Sequence, residues 1–309
     1  MRILITGAAG SIGAPLANRL VREGHGVLGL DDLSAGEPGA LDPRVVLTRG
    51  DVRDVPRLWS LLSGTDAVVH LAARVSVQES ILYPVEYNAV NTGGTVAVMA
   101  AARDAGVRRV VLASSGTVYG DQEAQPVSEA TAPRPANPYA VSKLAAEHYV
   151  RAIGALYRIE TVILRIFNAY GTPSATPSSH PPVIPHMARQ ILSGASIVLH
   201  GAPPGAQTRD FVHVDDVVEA LVRAATRVGI AGSTFNIGSG VETTLLELVA
   251  ALERASGQRA RVIESPEQSG GVARLSADIA AARRELGWSP SVTLEAGLRR
   301  LVTDLRRSA

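Results

Sequence analysis

Short apolar runs alternate with amphipathic stretches through the first half of the chain. Residues 2–6, 26–30, 44–48, 67–71, 109–113 and 161–166 are continuously apolar rather than alternating, which predicts strands buried on both faces. Helical periodicity between several of them predicts helices over 11–23, 84–105 and 138–157. This β–α alternation implies the α/β class with a parallel, doubly wound sheet. Beyond Phe167 the pattern loosens. Helices are expected over 183–193, 214–227, 244–256 and 294–306, with short strands over 196–199 and 233–237. The expected division is residues 1–169 as the first domain, with 209–236 returning to it, and 170–309 mainly as a smaller C-terminal α/β lobe. Ligands should lie between that lobe and the carboxyl ends of the strands.

Composition narrows the class. The 309 residues are 46% hydrophobic and 19% charged with a net charge of +1, as expected of a globular protein with a large core. No basic run is long enough to suggest nucleic-acid binding, and no apolar stretch approaches the roughly 18 residues of a membrane span. The apolar run at the N-terminus is too short for a signal-peptide core, so a cytoplasmic protein is expected. The absence of cysteine excludes disulfides, thiolate metal sites and a cysteine nucleophile. His70 and His213 have no partners at metal-ligand spacing, so both are read as structural and no metal is expected.

The first strand runs directly into a glycine-rich turn. Gly7, Gly10 and Gly13 lie at GxxGxxG spacing, with Ser11 and Ile12 inside the turn, where strand passes into helix. Glycines there permit a tight turn, close approach of a pyrophosphate to backbone N–H groups, and close helix–strand packing. Asp31 closes the second strand. A carboxylate at that place can accept hydrogen bonds from both adenosine ribose hydroxyls and would repel a 2′-phosphate. Asp32 follows it and no arginine stands close behind, so the cofactor expected is NAD rather than NADP. A solvated acid at a strand end is the plainer alternative for Asp31.

One residue stands out by scarcity. Of the 30 lysine and arginine residues only Lys143 is lysine. Asn137 is a good N-cap and Pro138 suits the first helical position, which places Tyr139 and Lys143 four residues apart on one helical face. A free tyrosine is a poor base at neutral pH; lowering its pKa by about 3 units requires about 4 kcal/mol of differential interaction. A nearby ammonium and a positive nicotinamide ring both act in that direction. An ammonium can also fork between two ribose hydroxyls with a geometry that a planar guanidinium lacks.

Tyr139-x-x-x-Lys143, the glycine turn and LASSGTVYG over 112–120 together resemble the extended short-chain dehydrogenase/reductase family, in particular its nucleotide-sugar epimerases and dehydratases. Weaker stretches in the same order carry the likeness from Arg2 to about Leu305: GDVRD, HLAA, NTGGT, RIFNAYG, QTRDFVHVDD and FNIGSG. The resemblance implies a Rossmann-type NAD domain and a nucleotide-sugar lobe. It places Asp51 and Val52 at the adenine and Ala72 and Asn91 beside the cofactor. Ser115 would hydrogen-bond the reacting sugar oxygen, with Thr117 in the substrate site, and Asn168 and Arg209 would hold the diphosphate. An arginine fork suits phosphate oxygens. An ion pair with Asp210 or a neighbouring acid is the alternative for Arg209, and loop hydrogen bonding is the alternative for Ser115 and Asn168. Relatives carry a second phosphate-binding arginine where this chain has Gln268; Arg274 is the candidate to replace it. The residue tied in relatives to pocket width falls at Leu275. Relatives pair through the helices over 84–105 and 138–157, so a homodimer is expected.

The same resemblance separates reactions. Dehydratases carry Asp-Glu between the positions of Ser115 and Tyr119, and decarboxylases a glutamate at the second of them; here the residues are Gly116 and Thr117. An epimerase needs no carboxylate there. Tyr139 takes the C4 hydroxyl proton as hydride passes to NAD, and the 4-keto sugar turns over before hydride returns. The expected activity is C4 epimerisation of a nucleotide sugar, first of all UDP-glucose and UDP-galactose. A UDP-uronic acid or UDP-N-acetylhexosamine epimerase, a dehydratase or decarboxylase, and a non-catalytic dinucleotide sensor are the alternatives.

Overall fold

A computed structural model describes residues 1–171, 182–200, 206–265 and 272–307. Its strands are β1 (Arg2–Thr6), β2 (Gly26–Asp31), β3 (Val46–Arg49), β4 (Ala67–His70), β5 (Arg109–Ser115), β6 (Glu160–Ile166), β7 (Asn168–Tyr170), β8 (Ser196–His200), β9 (Thr208–His213), β10 (Thr234–Ile237), β11 (Glu242–Thr244) and β12 (Arg261–Ser265). The helices are α1 (Gly13–Arg22), α2 (Val55–Leu62), α3 (Val77–Leu82), α4 (Pro84–Tyr87), α5 (Gly94–Asp104), α6 (Pro138–Tyr157), α7 (Val183–Ser193), α8 (Val214–Thr226), α9 (Leu245–Ser256) and α10 (Leu294–Arg307).

Seven strands form one parallel sheet in the order β10-β6-β5-β4-β1-β2-β3. Alternate residues of each strand enter different cores, as the two-residue period requires. Ile3, Ile5, Val69 and Val111 pack with Leu16 and Leu20 of α1 and Val217 and Leu221 of α8. Leu4, Val68 and Val110 pack with Leu58 of α2, Val98 of α5 and Ala146 of α6. The strand order reverses between β1 and β4, which opens a crevice at their carboxyl ends. The third core joins Ile184 and Met187 of α7, Leu248 and Leu252 of α9, and Leu298 and Leu301 of α10 around Phe211.

Several expected boundaries shift. β3 spans Val46–Arg49 rather than 44–48, because Val45 is held in a turn by its N–H bond to the Asp42 carbonyl. The helix expected over 84–105 consists of α4, a π turn over Asn88–Gly93, and α5. α2, α3, β7, β9, β11 and β12 lie in stretches whose apolar signal is short or interrupted. β9 and α8 return the chain to β10, so the last strand of the large sheet comes from beyond Phe167.

Candidate active site

The crevice begins at the glycine turn. Gly7 has φ +71, a left-handed conformation, and a Cβ there would lie 2.8 Å from the Ala72 backbone nitrogen. A Cβ on Gly13 would run into the Gly7 carbonyl oxygen. The turn can therefore close only with glycine at both places. No side chain caps α1 at Ile12 and no acid stands in its first turn, which leaves the positive helix end facing the crevice. Gly10 precedes that end, and Ser11 is exposed beside it.

Asp31 is buried at the end of β2. Its carboxylate accepts from the Ala9 N–H at 2.9 Å and from the Leu33 N–H at 2.9 Å, so the turn and the acid are one hydrogen-bonded unit. This is more than a solvated strand-end acid. Asp51 accepts from the Arg53 N–H at 2.7 Å and pairs with its guanidinium, which holds the carboxyl below its usual range. Val52 is buried against Gly94. The Ala72 N–H donates to Thr6 Oγ1 at 3.2 Å.

Asn91 sits inside the π turn and spends its amide on the protein. It accepts from the Arg74 N–H at 2.8 Å and donates to the Arg74 carbonyl at 3.0 Å and to Ser142 Oγ at 2.9 Å. It thereby holds the loop after β4 against α6. His70 is bonded to Thr6 at 2.6 Å and Thr95 at 3.0 Å, and burial pulls its pKa to about 3, so it is neutral. His213 Nδ1 accepts from the Asp215 N–H at 3.2 Å at the start of α8. Both histidines stand in structural hydrogen bonds. Among the described residues no group of three or more His, Asp or Glu could hold a metal ion.

Helix α6 starts as its sequence requires: Asn137 Oδ1 accepts from the Ala140 N–H at 2.9 Å, and Pro138 opens the first turn. Tyr139 and Lys143 follow on one face, both buried. The Tyr139 ring meets the edge of Tyr87 at 6.5 Å between centroids. Burial pushes the Tyr139 phenol up, opposed by the Ser115 hydroxyl. In the protein alone burial sets the direction, so the lowering expected from the ammonium together with a nicotinamide ring is not present without the ring. Lys143 is 4% exposed and has no hydrogen-bond partner among the described residues; burial pulls it from 10.5 to about 8, against the Glu147 carboxylate that raises it. An unpartnered buried ammonium one turn beyond Tyr139 fits a ligand rich in hydroxyl groups.

Ser115 ends β5 and caps the turn that follows, accepting from the Thr117 N–H at 3.2 Å and from Thr117 Oγ1 at 2.9 Å. Its hydroxyl hydrogen is left for another acceptor. Gly116 is pressed on Phe167, whose ring would lie 3.0 Å from an added Cβ. Asn168, on β7, is half-buried and has no side-chain partner among the described residues; it pairs in register with Phe211 of β9. Arg209 also lies on β9. It donates to the Thr208 carbonyl at 2.7 Å and to Gln207 at 3.4 Å, burial lowers its pKa, and Asp121 opposes that. It does not pair with Asp210, which is taken by Ser239, Gly240 and Ala277. Arg274 is exposed and forks onto Glu242 at 2.7 and 2.8 Å, so it must leave that pair to reach a phosphate. Leu275 is buried in the core. Gln268 lies outside the described residues.

Sequence reasoning missed Glu147 and Arg165, a buried ion pair whose carboxylate lies one turn beyond Lys143 and acts on it. Glu147 continues the spacing of four from Tyr139 through Lys143, a signal that was available in the sequence.

The family model described as "NAD dependent epimerase/dehydratase family" matches residues 3–238. The UDP-glucose 4-epimerase of Mycolicibacterium smegmatis is 39% identical over 317 residues, covering 100% of both chains. The structure of UDP-glucose 4-epimerase from Thermotoga maritima with UDP-glucose superposes with a TM-score of 0.94 at 31% identity, covering 100% of this chain and 99% of that one. MoeE5 in complex with UDP-glucuronic acid and NAD gives 0.91 at 34% identity, with 100% of both chains covered.

Proposed function

The chain belongs to the NAD-dependent epimerase/dehydratase family, and on that footing we propose that it is an isomerase that inverts C4 of a UDP-hexose, interconverting UDP-glucose and UDP-galactose. One observation carries the choice of reaction. Elimination or decarboxylation calls for a carboxylate next to Ser115, and the two residues there are Gly116, packed closely against Phe167, and Thr117, bound to Ser115.

NAD is held by Gly7, Gly10, Ser11, Ile12 and Gly13 at its pyrophosphate, by Asp31 at the adenosine ribose, by Asp51 and Val52 at the adenine, and by Ala72, Tyr139 and Lys143 at the nicotinamide end, where Asn91 acts by fixing the loop after β4. When bound it supplies a reversible hydride acceptor for C4. Tyr139 removes the C4 hydroxyl proton and returns it, and the Ser115 hydroxyl positions the same oxygen. Burial opposes the phenolate in the protein alone, so part of the lowering that Tyr139 needs comes with the positive charge of the bound ligand. Arg209 and Asn168 hold the diphosphate, Arg274 joins it only by leaving Glu242, and Thr117 stands in the sugar site. Residues 170–309 supply most of the nucleotide-sugar lobe.

The exposed apolar side chains of Val85 on α4 and Val141, Tyr149 and Leu156 on α6 support a homodimer paired through α6 and the α4–α5 segment. No described helix is long and apolar enough to cross a membrane, and the proposed location is the cytoplasm. The test of the whole reading is mass spectrometry and NMR after incubation with a panel of UDP-sugars. A C4 epimer of unchanged mass from UDP-glucose or UDP-galactose supports it. Turnover of UDP-glucuronic acid alone would move the substrate to the uronic acids, and a product short of water or carbon dioxide would sink the isomerase.

A further inference from the structure

Glu147 is 0% exposed, and a carboxylate so placed is stable only if its oxygens are taken. Four donors take them. Arg165 forks onto it at 2.9 and 2.7 Å, Ser114 Oγ donates at 2.6 Å, and Arg151 donates at 3.1 Å. These partners come from three elements. Ser114 precedes Ser115 at the end of β5, Arg165 belongs to β6, and Glu147 is on α6 one turn beyond Lys143. Arg165 is itself fixed, since it donates to the Tyr119 hydroxyl at 2.9 Å, and that hydroxyl donates to Asn236 at 2.7 Å.

Resting on the roles proposed above for Ser115, Tyr139 and Lys143, we infer that Glu147 is a positioning residue for the reaction. It fastens the helix that carries Tyr139 and Lys143 to the strand end that carries Ser115, and sets a negative charge behind the ammonium of Lys143. A buried ion pair is weak evidence of stability, because apolar residues of equal volume often fold as well. Its position here supplies a reason for its presence: a shift of α6 against β5 would separate the phenol from the serine hydroxyl, and small misplacements reduce turnover steeply. The charged or titratable groups felt by Lys143 are His70 from β4, which burial keeps neutral, and Glu147 of its own helix; Tyr139 stands one turn before it. Glu147 is the only one of these that bears charge at neutral pH.

Because Lys143 is the sole lysine, labelling lysine at Cε gives one side-chain NMR signal, and its titration can be followed without substrate or cofactor. Glu147→Gln should lower the midpoint by about one unit or more, as expected for opposite charges one helical turn apart at an effective dielectric near 20 and partly screened by Arg165. The high-pH limb of turnover should move down with it while KM stays. Should the single variant fail to fold, Glu147→Gln with Arg165→Met removes both charges at similar volume and should lower the midpoint by less, because the opposing Arg165 charge goes with it. Ser114→Ala leaves the charge in place, so it should lower kcat by about three- to tenfold with an unmoved lysine midpoint and KM. An unchanged midpoint without the Glu147 charge, or a Ser114→Ala variant with full kcat, would overturn the inference. An active Tyr139→Phe variant would instead overturn the roles on which it rests, and leaves the NMR titration readable.

Discussion

Replacing Lys143 by arginine keeps one positive charge and changes its shape, so it separates the two things a cation could do at this place. The ammonium is 4% exposed and burial has drawn its pKa from 10.5 to about 8. That displacement corresponds to about 3 kcal/mol. The folded pKa lies below the unfolded one, so between these values the unfolded chain holds the extra proton. Stability from this group therefore rises with pH from about 8 to about 10.5 as the buried lysine becomes neutral. Arginine cannot lose its proton in this range and has no such relief. Its bulkier head must also fit a filled site, at a cost of about 1–3 kcal/mol. Lys143→Arg should thus be less stable than the parent at neutral pH and should lack the alkaline gain. Its turnover should fall by at least about a hundredfold, because a guanidinium cannot fork onto the ribose hydroxyls as an ammonium does. Urea unfolding from about pH 7 to pH 10, turnover against pH, and NAD retention after gel filtration read the three effects. A variant with the parent's unfolding profile and most of its activity would make the lone lysine an accident of composition.

Three other variants probe the rest of the site. Tyr139→Phe should fold and retain NAD while kcat falls by about 10² to 10⁴, measured beside the bound cofactor content; near-normal turnover would remove Tyr139 from proton transfer. Gly13→Ala drives a methyl into the Gly7 carbonyl, so NAD affinity measured by calorimetry should fall at least about tenfold, and normal affinity would mean the turn is not the pyrophosphate site. Arg209→Gln should raise KM for the UDP-sugar by about tenfold or more with kcat little changed, the loss of a charge-assisted hydrogen bond worth about 1.5–3 kcal/mol; an unchanged KM would place the diphosphate elsewhere.

The large sheet was legible because its strands are continuous apolar runs, and α6 because Asn137 and Pro138 announce its start. The small strands were not. β9 hides Thr208 and Asp210 among its buried positions, and Asp210 is tolerated there only through donors from Ser239, Gly240 and Ala277, far off in sequence. The choice between Arg209 as phosphate ligand and as partner of Asp210 therefore waited on the strand itself. Neighbours on a strand point to opposite faces, so the two side chains could not meet once 208–213 was known to be extended. The π turn around Asn91 had no local signal, since its side-chain bonds reach Arg74 and Ser142. The direction of the Tyr139 shift could not be read from spacing, because burial decides it.

Epimerisation by Tyr139 with NAD requires that the hydrogen at C4 leave and return within one closed site. UDP-galactose carrying deuterium at C4, incubated with the purified protein and followed by NMR, tests it directly. Product UDP-glucose should carry the deuterium still at C4, with configuration inverted and mass unchanged. Loss of the label to solvent, or a product lighter by water, would contradict it.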